Sequence, residues 1–247
     1  RTVHEDNYPG LIAQVTSLLL RFQDDRRLDA LRRSSRIIAI SNFVKGVLLE
    51  HGIAPERVTT IYNSVGAMFS ADSGQRQSRA SIQQRSPKRS ICILAAGRLC
   101  AEKGFHVLLR ALPSVISKHP GLQTVSAGTG PFENHLRYLT NKLDLGEHVS
   151  FLGQIPFAEM ASVYAGADAV VVPSVFSEPL GRTVLEAMSC GKAVIASAVG
   201  AIPELIDHGR TGWLIPPEDS YALSEAILRL LGDSSLRRLL EENARQS

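Results

Sequence analysis

Residues 169–188 read AVVVPSVFSEPLGRTVLEAM. The β-branched run at 169–172 predicts a buried strand, and the pattern that opens at Gly181 predicts a helix. Glu178 lies in the loop between them and Glu186 lies inside the helix, so two carboxylates and a helix N-terminus are expected around one pocket. Backbone N–H groups at a helix start bind anions, and carboxylates accept hydrogen bonds from hydroxyl groups. The stretch therefore predicts a site for a ligand that carries both phosphates and hydroxyls.

Strands and helices alternate on both sides of this stretch. Apolar runs predict strands at residues 91–95, 122–127, 149–152, 169–172, 193–197 and 213–215. Helical patterns follow them at 105–117, 132–143, 158–165, 183–189, 203–207 and 220–231, and Pro113 predicts a kink or break in the first helix. The alternation predicts the α/β class with a doubly wound parallel sheet. In such sheets ligands bind outside the carboxyl ends of the strands, where the strand order reverses.

The start of the chain has a different pattern of predicted helices and strands. Residues 4–36 are mostly helical in pattern, and short strands are predicted at 36–40 and 58–62 with a helix at 42–50 between them. The polar stretch at 70–90 is typical of a linker. We predict a partial N-terminal segment over residues 1–72, a linker over 73–90 and a C-terminal domain over 91–247.

The composition is that of a packed globular protein, with 44% hydrophobic and 21% charged residues in a chain of 247. A net charge of +3 gives little support for nucleic-acid binding, and we predict none. Basic residues nevertheless cluster at 21–36 and 76–89. These clusters indicate either a solvated surface with a linker or a basic face that meets anionic lipid.

Cysteine usage and hydropathy indicate the compartment. The three cysteines show neither CxxC pairing nor metal-ligand spacing, which favours reduced thiols. No apolar run approaches the ~20 residues that a membrane-spanning helix needs. We predict a cytoplasmic protein. The basic clusters indicate an alternative, in which the protein also makes peripheral contact with the inner face of the membrane.

A loop at residues 97–104, with the sequence GRLCAEKG, follows the predicted strand at 91–95. Gly97 permits a tight turn, and Arg98 and Lys103 extend two cations into the cleft at the strand end. Cations are what a diphosphate needs. The alternative is a surface loop with incidental charges.

A second loop, GTGP at residues 128–131, follows the predicted strand at 122–127. Gly128 and Gly130 would let the backbone approach a ligand closely, but the same two glycines also suit a plain turn. The third glycine of the dinucleotide fingerprint is absent. A nicotinamide-dependent dehydrogenase is therefore disfavoured.

Taken together, several segments resemble the retaining glycosyltransferases of the GT-B fold, in particular the large family 4 group. They are residues 97–104, 128–131, 151–153 (FLG), 173–188 and 203–214 (PELIDHGRTGWL). Their order and spacing cover roughly residues 91–231. Residues 41–44 (SNFV) and 61–63 (IYN) look like the end of the family's N-terminal domain.

The resemblance implies a role for each part of a nucleotide-sugar donor site. The residues implied to bind the diphosphate are Arg98, Lys103, Gly181, Arg182 and Thr183. Glu186 would bind the ribose, and Gln154 and Ile155 would bind the base. Gly97, Gly128 and Gly130 would form the loops around the sugar and the phosphates. The implied substrate is a UDP- or GDP-sugar. The implied acceptor is a hydroxyl of a glycan, a lipid or a small molecule, and no cofactor or metal is expected.

Glu178 and His4 are the predicted catalytic residues. Glu178 would bind hydroxyls of the transferred sugar and position its anomeric carbon. His4 resembles the histidine that the family's N-terminal domain presents to the sugar, although a histidine near the start of a chain also suits a structural role. We expect displacement on the front face with retention of configuration, in which Glu178 orients the sugar and is not a nucleophile.

The chain also departs from the family pattern. Leu180 replaces a phenylalanine, and Ala201 replaces the second glycine of a Gly-Gly-x-Pro-Glu motif. Residues 1–72 are fewer than the ~150–200 expected of a complete first Rossmann domain, so a missing N-terminal domain or a partner chain is expected. We predict a retaining, hexosyltransferase-type enzyme. The rival hypotheses are a half-enzyme that binds the nucleotide sugar but is inactive without a complete N-terminal domain, and a nucleotide-sugar epimerase.

Overall fold

The computed structural model describes residues 25–66, 69 and 91–246. Contacts divide the chain into two units, with the division between Tyr62 and Asn63. The predicted linker at 73–90 and the predicted catalytic His4 lie outside the described residues. The domain boundaries therefore remain predictions.

The described part of the first unit contains helices α1 (Asp25–Arg33) and α2 (Asn42–Glu50) and two parallel strands, β1 (Ile37–Ala39) and β2 (Val58–Thr60). Ser41 caps α2, since its Oγ accepts a hydrogen bond from the Val44 N–H at 3.1 Å. Residues from both strands and from α2 and its following loop form a small core of Ile37, Ala39, Leu48, Ile53 and Val58.

The second unit is built on six parallel strands in the order β5-β4-β3-β6-β7-β8. These strands are β3 (Cys92–Ala96), β4 (Gln123–Ala127), β5 (Val149–Gly153), β6 (Ala169–Val172), β7 (Ala193–Ser197) and β8 (Trp213–Ile215). The helices are α3 (Phe105–Lys118), α4 (Glu133–Lys142), α5 (Met160–Gly166), α6 (Arg182–Ser189), α7 (Ile202–Leu205), α8 (Ser220–Gly232) and α9 (Ser234–Gln246). The predicted α/β class with a parallel sheet is confirmed.

Helices cover both faces of this sheet, which explains its apolar strands. Alternate residues of a strand point to opposite faces. In β3, Ile93 and Ala95 pack in the core that contains α3 and α8, whereas Cys92 and Leu94 pack in the core that contains α5 and α6. A strand buried on both sides must be apolar along its whole length, as the fully buried β6 is. The sheet is therefore doubly wound.

The strand order reverses between β3 and β6. The chain runs outward from β3 through β4 to β5, and then returns to the other side of β3 to form β6, β7 and β8. The loops after β3 and β6 consequently run from neighbouring strands in divergent directions, and a crevice forms between the two loops. These are the two loops that carry the predicted cations and Glu178.

Two helices differ from expectation. A kink or a break was expected at Pro113, and the break is wrong, because α3 continues from Phe105 to Lys118. Leu112 and Val115, on either side of the proline, are fully buried, and their packing holds the helix together where local preference opposes it. Helix α9 was not among the predicted elements, although it buries Leu240 and Ala244 at helical spacing. No helix within the described ranges is long and apolar enough to cross a membrane.

The buried His106 of α3 should make stability depend on pH. Burial, then Arg110 and His135, lowers the pKa of His106 from 6.5 to about 4. The unfolded chain binds this proton near pH 6.5 and the folded chain only near pH 4, so acidification through this window favours unfolding. We expect the free energy of unfolding to fall by roughly 3 kcal/mol through this group between pH 7 and pH 4.

Urea unfolding at pH 7.0, 5.5 and 4.5 measures this dependence, and H106L provides the comparison because leucine does not titrate. The variant should lose the part of the slope between pH 6.5 and 4. An identical slope in both proteins would show that other groups cause the acid sensitivity.

Candidate functional site at the carboxyl ends of the strands

Glu178 is fixed through one of its two carboxylate oxygens. Lys103 Nζ forms an ion pair with Oε1, and Ser174 Oγ donates to the same oxygen at 2.7 Å. The side chain is 13% exposed, and within the described residues Oε2 has no hydrogen bond. One carboxylate oxygen is therefore anchored and the other can accept a hydrogen bond from a ligand. Lys103 was predicted to bind the diphosphate and Glu178 to bind the sugar. The structure brings these two side chains into direct contact.

Gly104 allows the loops after β3 and β6 to come this close. Its φ is +66°, and a Cβ atom built on it would lie 1.8 Å from the carbonyl oxygen of Pro173. The Val175 N–H donates to the Glu102 carbonyl at 2.9 Å across the same contact. A side chain at position 104 would separate the two loops, and with them Lys103 and Glu178.

The backbone of Glu178 is supported from the loop after β7. A Cβ atom on Gly200, whose φ is +57°, would lie 2.2 Å from the Glu178 carbonyl oxygen, which accepts the Ala201 N–H at 2.8 Å. Ala201 has an ordinary helical φ of −84°. Only the first position of the family's Gly-Gly pair therefore requires glycine in this chain, which explains why alanine is tolerated at the second.

Glu186 is buried in α6 and hydrogen-bonded at both oxygens. Arg182 Nε donates to Oε1 at 2.8 Å, and the Tyr164 hydroxyl donates to Oε2 at 2.9 Å. Tyr164 was not predicted as a site residue, and neither was Ser174. Nothing in the sequence pairs Tyr164 with Glu186, because the tertiary fold brings together residues that lie 22 positions apart.

A pocket of about 200 Å³ opens beside Glu186. It gathers residues from the ends of β3, β4 and β5 and from α5 and α6. Its lining includes six of the residues predicted for the site, namely Gly97, Gly128, Gln154, Ile155, Thr183 and Glu186, together with Met160 and Tyr164. The structure therefore brings the residues predicted for base, ribose and phosphate to one place.

Two of the other predicted diphosphate residues, Gly181 and Arg182, lie at the start of α6. Gly181 is the N-cap of α6 with a left-handed φ of 82°. The guanidinium of Arg182 is engaged with Glu186 and lies 5.0 Å above the Phe157 ring. Arg98 is exposed, and its side chain forms no hydrogen bond or ion pair within the part of the chain that the structure describes.

Gly130 has a packing role and is not among the residues that line the pocket. A Cβ atom on it would lie 2.2 Å from the Leu99 carbonyl oxygen. The Leu99 N–H donates to Thr129, and the Phe132 N–H donates back to Leu99, at 3.0 and 2.9 Å. Gly130 was expected to let the backbone approach a ligand. In the structure it lets two loops of the chain approach each other instead.

Sequence comparison defines the class of protein. Residues 77–247 match the family model Glycosyl transferases group 1, and residues 1–67 match Glycosyltransferase Family 4. The chain belongs to the glycosyl transferases group 1 family. The predicted resemblance to GT-B glycosyltransferases is thereby confirmed.

Individual relatives place the chain within this class. It is 31% identical over 218 residues to an uncharacterized glycosyltransferase of Methanocaldococcus jannaschii, covering 86% of this chain and 55% of the relative. It is 34% identical over 183 residues to a D-inositol 3-phosphate glycosyltransferase of Corynebacterium jeikeium, covering 71% and 43%. The chain thus spans about half the length of the relatives it matches.

Solved structures agree with this placement. The Anabaena protein Alr3699/HepE in complex with UDP superimposes with a TM-score of 0.81 and 25% identity, covering 95% of this chain and 70% of that one. The same protein in complex with UDP-glucose gives 0.81 and 26%, covering 90% and 61%.

Proposed function

We propose that this chain binds a nucleotide sugar, UDP- or GDP-linked, and transfers the sugar to a hydroxyl acceptor with retention of configuration. The observation that carries the proposal is the pair of glutamates at one crevice. Glu178 is held by Lys103 and Ser174 in the loop after β6, and Glu186 is held by Arg182 and Tyr164 beside a glycine-lined pocket at the carboxyl ends of the strands. The Anabaena relative in complex with UDP and with UDP-glucose supports a uridine nucleotide as the first ligand to test.

The donor would lie along the carboxyl ends of the strands. The base and ribose would occupy the pocket, with the base against Gln154 and Ile155 and the ribose hydroxyls on Glu186. The diphosphate would meet the N–H groups at the start of α6, where the helix dipole favours negative charge. The exposed Arg98 would complete the phosphate site, and Lys103 would reach it from its contact with Glu178.

The chemistry follows from where charge develops. As the bond from the anomeric carbon to the diphosphate oxygen breaks, negative charge grows on the leaving diphosphate, and Lys103, Arg98 and the helix start would stabilise it. The acceptor oxygen forms its bond to the anomeric carbon on the same face, and its proton passes to the departing diphosphate oxygen. Glu178 would accept hydrogen bonds from the sugar hydroxyls through Oε2 and so orient the anomeric carbon. The proposal includes no metal or cofactor, because Lys103, Arg98 and the start of α6 supply the positive charge that the diphosphate needs.

We propose a cytoplasmic location for this reaction. The three cysteines are free thiols in the structure, which is usual in a reducing compartment. Contact with the inner face of a membrane applies where the acceptor is a lipid, and vesicles with and without anionic lipid would test it by co-sedimentation.

A second candidate function is binding of the donor without transfer. It uses the same residues, and the observation in its favour is that the pocket lining lies entirely within the second unit. Two measurements on the purified chain separate the candidates. Calorimetric titration with UDP and GDP tests binding, and release of UDP from UDP-glucose, with and without a panel of glycosides as acceptors, tests turnover.

Binding together with UDP release supports the transferase, and binding without release supports the half-enzyme. If neither nucleotide binds at millimolar concentration, the proposed donor site is wrong.

A further inference from the structure

The carboxylate of Glu186 has a donor on each oxygen and unused acceptor capacity. Arg182 and Tyr164 donate one hydrogen bond each, at 2.8 and 2.9 Å. An ionised carboxylate has about four lone-pair sites, so about two remain. Because Glu186 also lines the pocket, these sites can meet the hydroxyls of a bound ligand.

The two donors differ in how firmly they are fixed. Tyr164 is fully buried, and its ring meets the equally buried ring of Phe69 edge-on, with centroids 6.0 Å apart. The side chain of Arg182 is 66% exposed, and solvent weakens ion pairs of that kind. Tyr164 is therefore the donor that sets the orientation of the carboxylate.

Tyr164 also keeps its proton. Burial, followed by the charge of Glu186, raises the pKa of Tyr164 well above its ordinary range. The hydroxyl is consequently a donor throughout the neutral range. A hydrogen bond from a fixed neutral donor to a charged acceptor is among the stronger kinds in proteins.

We propose that Tyr164 is a positioning residue that makes the site selective for ribonucleotides over nucleotides whose sugar lacks the 2′ and 3′ hydroxyls. By holding Glu186 in one orientation, it directs the unused acceptor sites towards two neighbouring hydroxyls, such as those on C2 and C3 of a ribose. A sugar that lacks both hydroxyls leaves the remaining acceptor sites of a buried carboxylate without donors, which weakens binding. The inference rests on the proposed function, because it takes a nucleoside diphosphate as the ligand.

Calorimetric titration with UDP and with 2′,3′-dideoxy-UDP tests the proposal. Tyr164→Phe removes only the hydroxyl and keeps the ring that packs on Phe69. In Y164F we expect UDP to bind about tenfold more weakly while binding of the dideoxy nucleotide stays the same, so the preference for UDP shrinks by that factor. Tyr221→Phe is the matched control, because it removes a hydroxyl from a side chain that is 75% exposed on α8.

Equal weakening of both nucleotides in Y164F, or an unchanged affinity for UDP, would overturn the positioning role. If Y164F does not fold, E186Q takes its place, and full retention of the preference for UDP in that variant would equally refute the inference. Failure of the wild-type chain to bind either nucleotide refutes the proposed function and this inference together. Normal wild-type binding with an unaltered preference in Y164F refutes the inference alone.

Discussion

The E178Q variant should bind UDP as tightly as the wild-type chain and turn over UDP-glucose at least about 100-fold more slowly. Glutamine has the same size, so the loop after β6 keeps its supports from Gly200 and Ala201. The amide has no charge to pair with Lys103, and its nitrogen cannot accept a hydrogen bond from a sugar hydroxyl. In the proposed site, UDP binds in the pocket beside Glu186, whereas Glu178 contacts the sugar. The substitution should therefore lower turnover without lowering the affinity for UDP.

The separation is measured by titration with UDP and by UDP release from UDP-glucose on the same preparations. The control is E225Q, which makes the same charge change at an exposed position of α8 and should alter neither quantity. A wild-type rate of release in E178Q would contradict the orienting role. Equal losses of affinity and turnover would place Glu178 on the nucleotide instead of the sugar.

The strands of the second unit could be predicted well because both faces of the sheet are buried. A strand with no solvated face must be apolar throughout, and the runs at 169–172 and 193–197 have the observed bounds of β6 and β7. For the helices, a prediction made from local sequence preference failed at Pro113, because that preference favours a break. The burial of Leu112 and Val115 depends on the tertiary structure, which no local rule contains.

The site could be predicted as far as the strands determine it. Parallel strands end at one edge of a sheet, so Gly97, Gly128 and Gln154 had to converge there, and the structure confirms that they line one pocket with Glu186. The side chains that hold the two acids could not be predicted. Tyr164 reaches Glu186 because α5 and α6 both contribute to the core on one face of the sheet, and a sequence pattern carries no information about such a contact.

Glycine was the most ambiguous signal, because approach to a ligand and approach to another loop require the same residue. The structure assigns Gly104, Gly130 and Gly200 to contacts between loops. Gly128 lines the pocket, and it also packs against the neighbouring loop. Its replacement by alanine should therefore affect both stability and ligand binding.

The G128A variant should be destabilised by roughly 4 kcal/mol, which lowers the Tm by about 8–16 °C for a unit of this size. The φ of Gly128 is +138°, a conformation that L-residues rarely adopt, and a Cβ atom would lie 1.9 Å from the Gly97 carbonyl oxygen. That atom belongs to backbone, so no flexible side chain can move aside. The Gly97 N–H donates to Ala127 and the Gly128 N–H donates to Gly153, at 2.9 and 2.8 Å, so a shift at Gly128 disturbs the ends of β3, β4 and β5 together.

Thermal unfolding with and without UDP measures both consequences of G128A. The matched control is G121A, because a Cβ atom on Gly121 has no neighbour within 4 Å and its Tm should change by no more than about 2 °C. Gly97 and Gly128 both line the pocket, so G128A should also bind UDP at least about tenfold more weakly when titrated below its Tm. Lower stability with unchanged UDP affinity would mean that the glycines serve only the packing of the loops, and that the nucleotide site depends on the other residues that line the pocket.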